Sequence, residues 1–327
     1  MLRSLACGLA LLGIASPNHA LDGEREDVRQ FMQEMRRKHG FDAAWLAGVM
    51  SQAETQPRII ELMSRPLEQV KPWHEYRDHF LTAERIAAGV AFWTEHRARL
   101  AEIERSTGVA QHIIVGILGV ETFFGRITGR FRVVDALATL AFDYPPRSGY
   151  FRDELEQFLL LAREDQVDIG TALGSYAGAM GSPQFMPRSY RAFAVDGDGD
   201  SRRDLWGSWD DVIASVANYL AKHGWRAGEP VAAPASLWFP QADGLVAGSL
   251  SADSTVKALR DRGLSFETSL DGRAPALFIR VAGSAGPELR AGFHNFGVIT
   301  RYNRSVLYAL AVHDLGSRIE ALLPPAP

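Results

Sequence analysis

Apolar residues recur along most of this chain at helical spacing. Val28, Phe31, Met32 and Met35 fall on one face of a helix that Gly40 should stop, and Phe41 to Gln52 reads as a second, shorter one. Pro57, Pro66 and Pro72 punctuate the next stretch, and Ala83 to Leu100 forms another amphipathic helix behind a Thr82 N-cap. From about Val109 to Phe124 the stripe Ile113, Ile114, Ile117 and Leu118 leads to Glu121, which the helical period sets on the same apolar face. From Glu229 to Phe293 the pattern changes to prolines, glycines and short β-favouring runs such as Leu237-Trp238-Phe239 and Leu277 to Val281, interrupted by one short helix from Ser254 to Asp261. Val298 to Leu323 returns to helix, with Leu307, Leu310, Ala311 and Leu315 on one face. The order predicts a mainly α protein with a small β-rich lobe inserted before a closing helix, without internal repeats.

Composition narrows the class. A chain of 327 residues with 46% apolar and 23% charged residues can bury a substantial core and divide into more than one lobe. A formal charge of −4, with basic residues scattered among acids, argues against nucleic acid as a partner. The N-terminus reads as a signal peptide over residues 1–20. Arg3 precedes an apolar stretch from Leu5 to Ile14, too short to span a bilayer, and small and turn-forming residues lead to cleavage after Ala20. Losing Arg3 takes the charge from −4 to −5. The sole cysteine, Cys7, lies inside that segment, ahead of most of its apolar stretch, so it does not suit a lipid anchor and the mature chain holds no disulfide. This predicts a soluble periplasmic protein without a transmembrane segment.

Four windows carry candidate chemistry. Glu121 lies in Gly119-Val120-Glu121-Thr122-Phe123-Phe124-Gly125. Taking a carboxylate out of water raises its pKa, as a general acid requires, although a structural glutamate paired with a base such as Arg126 fits the window equally. Ser175 to Pro187 is rich in small residues that let a ligand approach the backbone. Ser175, Tyr176 and Gln184 offer polar groups there, and the aromatic faces suit sugar rings. The same window could be a tight packing loop. Asp196-Gly197-Asp198-Gly199-Asp200 opens like a calcium loop of EF-hand type, but Ser201 stands at the sixth position and Gly207 at the twelfth, so Asp210 would have to close a longer loop. Arg301-Tyr302-Asn303-Arg304-Ser305 clusters polar groups where the closing helix begins, and Asn303 could simply cap it. The histidines show no metal spacing.

Together with Lys71 to Arg77, Phe142-Asp143-Tyr144-Pro145, Leu205-Trp206 and the run from Phe293 to Tyr308, these windows resemble the lytic murein transglycosylase B family of the lysozyme-like superfamily, across nearly the whole mature chain. The resemblance implies a helical domain over residues 21–104 completed by 291–327, a lysozyme-like catalytic core with a cation-binding loop over 105–226, and a β-rich domain over 227–290. It implies cleavage of the MurNAc-β-1,4-GlcNAc bond of peptidoglycan glycan strands without water, leaving 1,6-anhydromuramoyl ends. Glu121 would act alone as acid and then base. Ser175, Tyr176, Gln184, Tyr302, Asn303 and Tyr308 would contact saccharide or position the glutamate. Arg147 would bind the substrate's peptide or carboxylate, with Pro146 where the family often has a second arginine. Asp196, Asp198, Asp200, the Arg202 carbonyl and Asp210 would ligate a structural Ca2+. No catalytic cofactor is implied, and the expected protein is a monomer with cell-wall machinery as a candidate partner. Two alternatives stay open: a hydrolytic muramidase using Asp143, Asp153 or Glu156 as second carboxylate, and an inactive peptidoglycan-binding protein.

Overall fold

The computed structural model describes residues 19–64, 71–238 and 250–325. The expectations for Arg3, for Cys7, for the apolar stretch of the signal segment, for Pro66 and for Phe239 lie outside the described residues. The body is helical. Glu26–His39 buries Val28, Phe31 and Met35 and ends at Gly40 in the left-handed region (φ 66°), and Asp42 caps the next helix, Ala43–Gln52, through the Trp45 amide at 2.8 Å. Pro57 opens the helix Pro57–Met63, and Pro72 precedes Trp73–Phe80.

Two stretches that the periodicity reads as single helices are each divided. Thr82 caps Ala83–Glu95 as expected, but the chain breaks at His96 and resumes as Arg97–Thr107. The break seats the His96 ring against Phe92 (4.5 Å) and Trp209 (5.8 Å), a packing gain that helix propensity does not register. Near the C-terminus His294–Tyr302 ends at an extended Asn303, and Val306–Glu320 starts afresh with the Ser305 hydroxyl, not Asn303, accepting from the Tyr308 amide at 3.2 Å. This interruption places Tyr308, 2% exposed, in the first turn of the last helix.

The helix Gln111–Thr122 runs antiparallel to Val306–Glu320 at very close range. A Cβ on Gly116 would strike the carbonyl of Val312, and one on Gly316 would strike the carbonyl of His112. A Cβ on Gly119 would come within 2.8 Å of Leu315. Glycine in a helix interior costs stability, but here it lets two backbones touch. The residue pairs that meet along this crossing include Glu121 and Tyr308.

The inserted lobe is a five-stranded antiparallel sheet in the order Ser254–Thr255, Pro275–Gly283, Gly286–Phe293, Ala232–Leu237, Leu264–Phe266, with the helix Val256–Asp261 beside it. Strand alternation gives Pro275–Gly283 two buried faces. Ala276 and Phe278 join a small core with Val256, Leu259, Phe266 and Phe293, whereas Leu277 and Ile279 belong to the main core. Polar contacts stitch the lobe to the body: Trp73 Nε1 donates to Glu288 at 3.0 Å, Arg77 pairs with Glu288 at 3.1 Å, and Arg290 pairs with Asp314 at 3.0 Å. No described helix is long and apolar enough to cross a membrane.

Candidate active site

Glu121 is the penultimate residue of its helix and is half-buried, less enclosed than its apolar stripe suggests. The chain leaves the helix through three successive left-handed residues, Phe123 (φ 52°), Phe124 (φ 56°) and Gly125 (φ 79°). Such a run is costly for phenylalanine and persists where the surroundings hold it. Here they do. Phe123 lies between the guanidiniums of Arg85 and Arg126, each 4.7 Å from its ring centre, and Phe124 stacks on Phe92 at 5.3 Å. Arg126 pairs with Glu84 at 3.4 Å, between two exposed side chains at the surface.

The hydroxyl of Tyr308 donates to Glu121 Oε1 at 2.6 Å. Burial, and then the nearby carboxylate, push the Tyr308 phenol well above its ordinary value, so it stays a donor throughout the neutral range. Tyr302 stacks nearly parallel on Tyr308 (6.4 Å, 13°) and donates to the Pro183 carbonyl at 2.6 Å. Burial and Glu121 raise the Tyr302 phenol in the same way. Thr122, next to Glu121, donates to the Ser182 carbonyl at 2.8 Å and accepts from the Gly125 amide at 3.0 Å. The loop around Ser182 is thus tied to the glutamate's helix at one point and to Tyr302 at the next.

Within that loop, the small and polar residues serve the local fold. Ser175 Oγ accepts from the amides of Ala177 (3.2 Å) and Ala179 (3.1 Å), closing a tight turn. Gln184 sits in the left-handed region (φ 51°), and its amide donates to the carbonyls of Thr128 and Gly181, both at 2.9 Å. Tyr176 is half-buried on the same turn, and Asn303 is half-buried next to Tyr302. Arg147 is exposed on a short 3-10 turn, and its guanidinium lies over Tyr150 (4.6 Å) and Phe151 (5.1 Å), so its ring contacts run to the following helix.

The three acids weighed as second carboxylates are held in ion pairs. Asp143 meets Arg25 at 2.6 Å, Asp153 meets Arg188 at 3.5 Å, and Glu156 meets His39 at 2.9 Å and Lys38 at 3.5 Å.

In the aspartate loop the carboxylates of Asp196, Asp198 and Asp211 have ligand atoms within 4.8 Å of one another. Asp211 was not singled out by the loop pattern. Asp210, expected to close the loop, directs its carboxylate to Arg99 Nε at 3.2 Å. The reason is helix register. Ser208 caps the helix Trp209–Lys222 by accepting from the Asp211 amide at 3.3 Å, which turns Asp211 into the loop. Asp211 is 1% exposed, accepts from the amides of Gly197 and Asp204 at 2.6 Å each, and has its carboxyl raised by burial and by Asp198. Asp200 accepts from the Arg202 amide at 2.8 Å. The Ser-x-x-Asp spacing of a capping box was the signal that could have found Asp211. Two exposed carboxylates, Asp196 and Asp198, beside the buried Asp211 form an oxygen donor set that suits a hard divalent cation.

The chain belongs to the transglycosylase SLT domain family, which matches residues 23–317. It has the mainly helical, lysozyme-like fold with a β-sheet lobe that the sequence leads one to expect. The chain is 42% identical over 302 residues, 90% of its length and 82% of the relative's, to membrane-bound lytic murein transglycosylase B of Escherichia coli strain K12. Soluble lytic transglycosylase SltB1 of Pseudomonas aeruginosa is similar in structure (TM-score 0.85, 47% identity, 89% of this chain and 97% of that one). So is the E. coli lytic transglycosylase Slt35 in complex with calcium (TM-score 0.84, 40% identity, 93% and 96%).

Proposed function

We propose that this protein is a lytic murein transglycosylase that cleaves peptidoglycan glycan strands at the MurNAc-β-1,4-GlcNAc bond without consuming water, with Glu121 as its one catalytic acid and base. The observation that carries the proposal is the pairing of Glu121 with a buried phenol that stays protonated, at the end of a helix held open to the loop around Ser182. Family membership and the names of the relatives support the substrate.

The chemistry follows from the arrangement. Glu121 stands in the last turn of its helix, and the cycle begins from its protonated acid. Tyr308 fixes the plane of the carboxyl through Oε1. The acid proton passes to the glycosidic oxygen as the bond to the anomeric carbon breaks, and the substrate's acetamido oxygen stabilises the positive centre. The muramoyl O6 hydroxyl then attacks that carbon and gives its proton to the glutamate, which restores the acid. A muramidase would need a second carboxylate to direct water, and Asp143, Asp153 and Glu156 make their contacts with Arg25, Arg188 and His39 and not with the Glu121–Tyr308 pair. Ser175 and Gln184 serve by shaping the loop wall that faces the saccharide; Tyr176, Tyr302, Asn303 and Arg147 are proposed to contact the strand. The site of action is the periplasm, reached through a cleaved signal peptide.

Digestion of purified sacculi should release muropeptides one water lighter than the hydrolysis products, read by mass spectrometry. Reducing ends of full mass would replace the proposal with hydrolysis, and no release would replace it with a binding protein.

We further propose that Asp196, Asp198 and Asp211 hold Ca2+, with Asp200 and the Arg202 carbonyl completing the loop. A cation occupying the folded form alone stabilises it by about 2.7 kcal/mol at a hundred times its dissociation constant. Calcium in place of a chelator should therefore raise the melting temperature by about 5 °C. Asp211→Asn should abolish that difference, and equal melting temperatures for the parent protein in both buffers would overturn the site.

A further inference from the structure

A cleft of about 710 Å3, separate in its lining from the Glu121 cluster, lies between the helix Ala43–Gln52 and the segment following the helix Ser148–Asp165. Its most prominent wall is Trp45, 38% exposed. The indole stacks on Phe41 at 5.2 Å with an interplanar angle of 5°, and the guanidinium of Arg163 lies 4.3 Å from the same Phe41 ring. A layered stack of this kind holds a large flat apolar face rigid at the surface, with little freedom left to lose when a ligand covers it.

The polar groups around that face divide into two kinds. The charged ones are engaged: Arg132 grips Asp135 through two bonds of 2.8 Å, Arg163 donates to the His39 carbonyl at 2.9 Å, Asp42 caps its helix, and Asp168 accepts from the Gly170 amide at 2.8 Å. The neutral ones are open. The indole N–H of Trp45 and the side-chain amides of Gln52 and Gln166 have no hydrogen-bond partner among the described residues. A rigid aromatic face with neutral donors and acceptors beside it suits the C–H face, hydroxyls and acetamido groups of an N-acetylated sugar.

Position points the same way. Gln166, Val167 and Asp168 also line a neighbouring cleft of about 500 Å3, whose wall includes Thr128 and Trp206. The Thr128 carbonyl accepts the amide of Gln184. The two clefts therefore share a border, and the second reaches the loop next to Glu121.

We propose that the Trp45 cleft is an ancillary glycan-binding platform that holds N-acetylhexosamine units of the polymeric substrate away from the bond being cut. This rests on peptidoglycan being that substrate. The platform gives grip on the insoluble network and contributes little to a short soluble strand that fills only the site at Glu121.

The test uses the full mature chain carrying Glu121→Gln, with tetra-N-acetylchitotetraose as probe. Its addition should shift the Trp45 indole N–H signal in a proton–nitrogen correlation spectrum. Trp45→Ala and Gln52→Ala should each weaken retention on purified sacculi by about fivefold. With Glu121 intact, each should slow digestion of sacculi more than digestion of short soluble strands. An unmoved indole signal, undiminished retention, or equal losses on both substrates would overturn the platform, as would a dimer in solution that Trp45→Ala dissolves. If the indole signal moves while the intact enzyme yields only water-added products, the platform stands and the transglycosylase reading falls.

Discussion

Glu121→Gln is expected to lower the release of anhydromuropeptides by about 10^4-fold, since a positioned acid–base group contributes up to that factor and here one group serves both steps. Glutamine preserves the side chain's length and can still accept from Tyr308, so the crossing of the two helices should survive and the melting temperature should stay within about 2 °C of the parent. Product mass spectrometry on sacculi and a thermal scan are the two measurements. Retained release would remove Glu121 from the chemistry. A large loss of stability would instead mean that the glutamate is principally a structural group at the crossing, the alternative its sequence window leaves open.

Gly316→Ala should be among the most damaging single methyl additions at the helix crossing. The new Cβ would meet the backbone carbonyl of His112, which cannot rotate away as a side chain could, so the last helix must move off its partner. A loss of about 3 kcal/mol is expected, corresponding to a fall in melting temperature of about 5 °C. Activity should fall further than stability alone accounts for, because Tyr308 rides on the displaced helix and Glu121 on the fixed one. Gly149→Ala is the control: a Cβ there meets nothing within 4 Å, and the helix should be as stable or slightly more so. A melting temperature of Gly316→Ala equal to that of the control would show that the crossing relaxes without cost.

The helix carrying Glu121 was legible because a long apolar stripe at a 3.6 period has few other solutions. Its close partner was not. Gly116, Gly119 and Gly316 read locally as poor helix residues, and only the pairing of two distant segments turns them into an advantage. The breaks at His96 and Asn303 were hidden for a related reason: the flanking residues favour helix, and the interruption is won by aromatic packing in one case and by the Ser305 cap in the other. In the aspartate loop, the acidic pattern points to Asp210. The register of the following helix, set by Ser208, chose its neighbour. The platform at Trp45 left no mark in the sequence, since an exposed aromatic among helix residues looks like any other position on an apolar stripe.

The strand Pro275–Gly283 gives alternate residues to two cores. Deleting the lobe would strip Leu277 and Ile279 from the body and leave a hydrophobic scar, so the lobe cannot be exchanged between relatives as a cassette. Insertions can accumulate at its rim, but the shared strand must descend together with the helices it covers, and the boundary between lobe and body is not a seam along which recombination can cut.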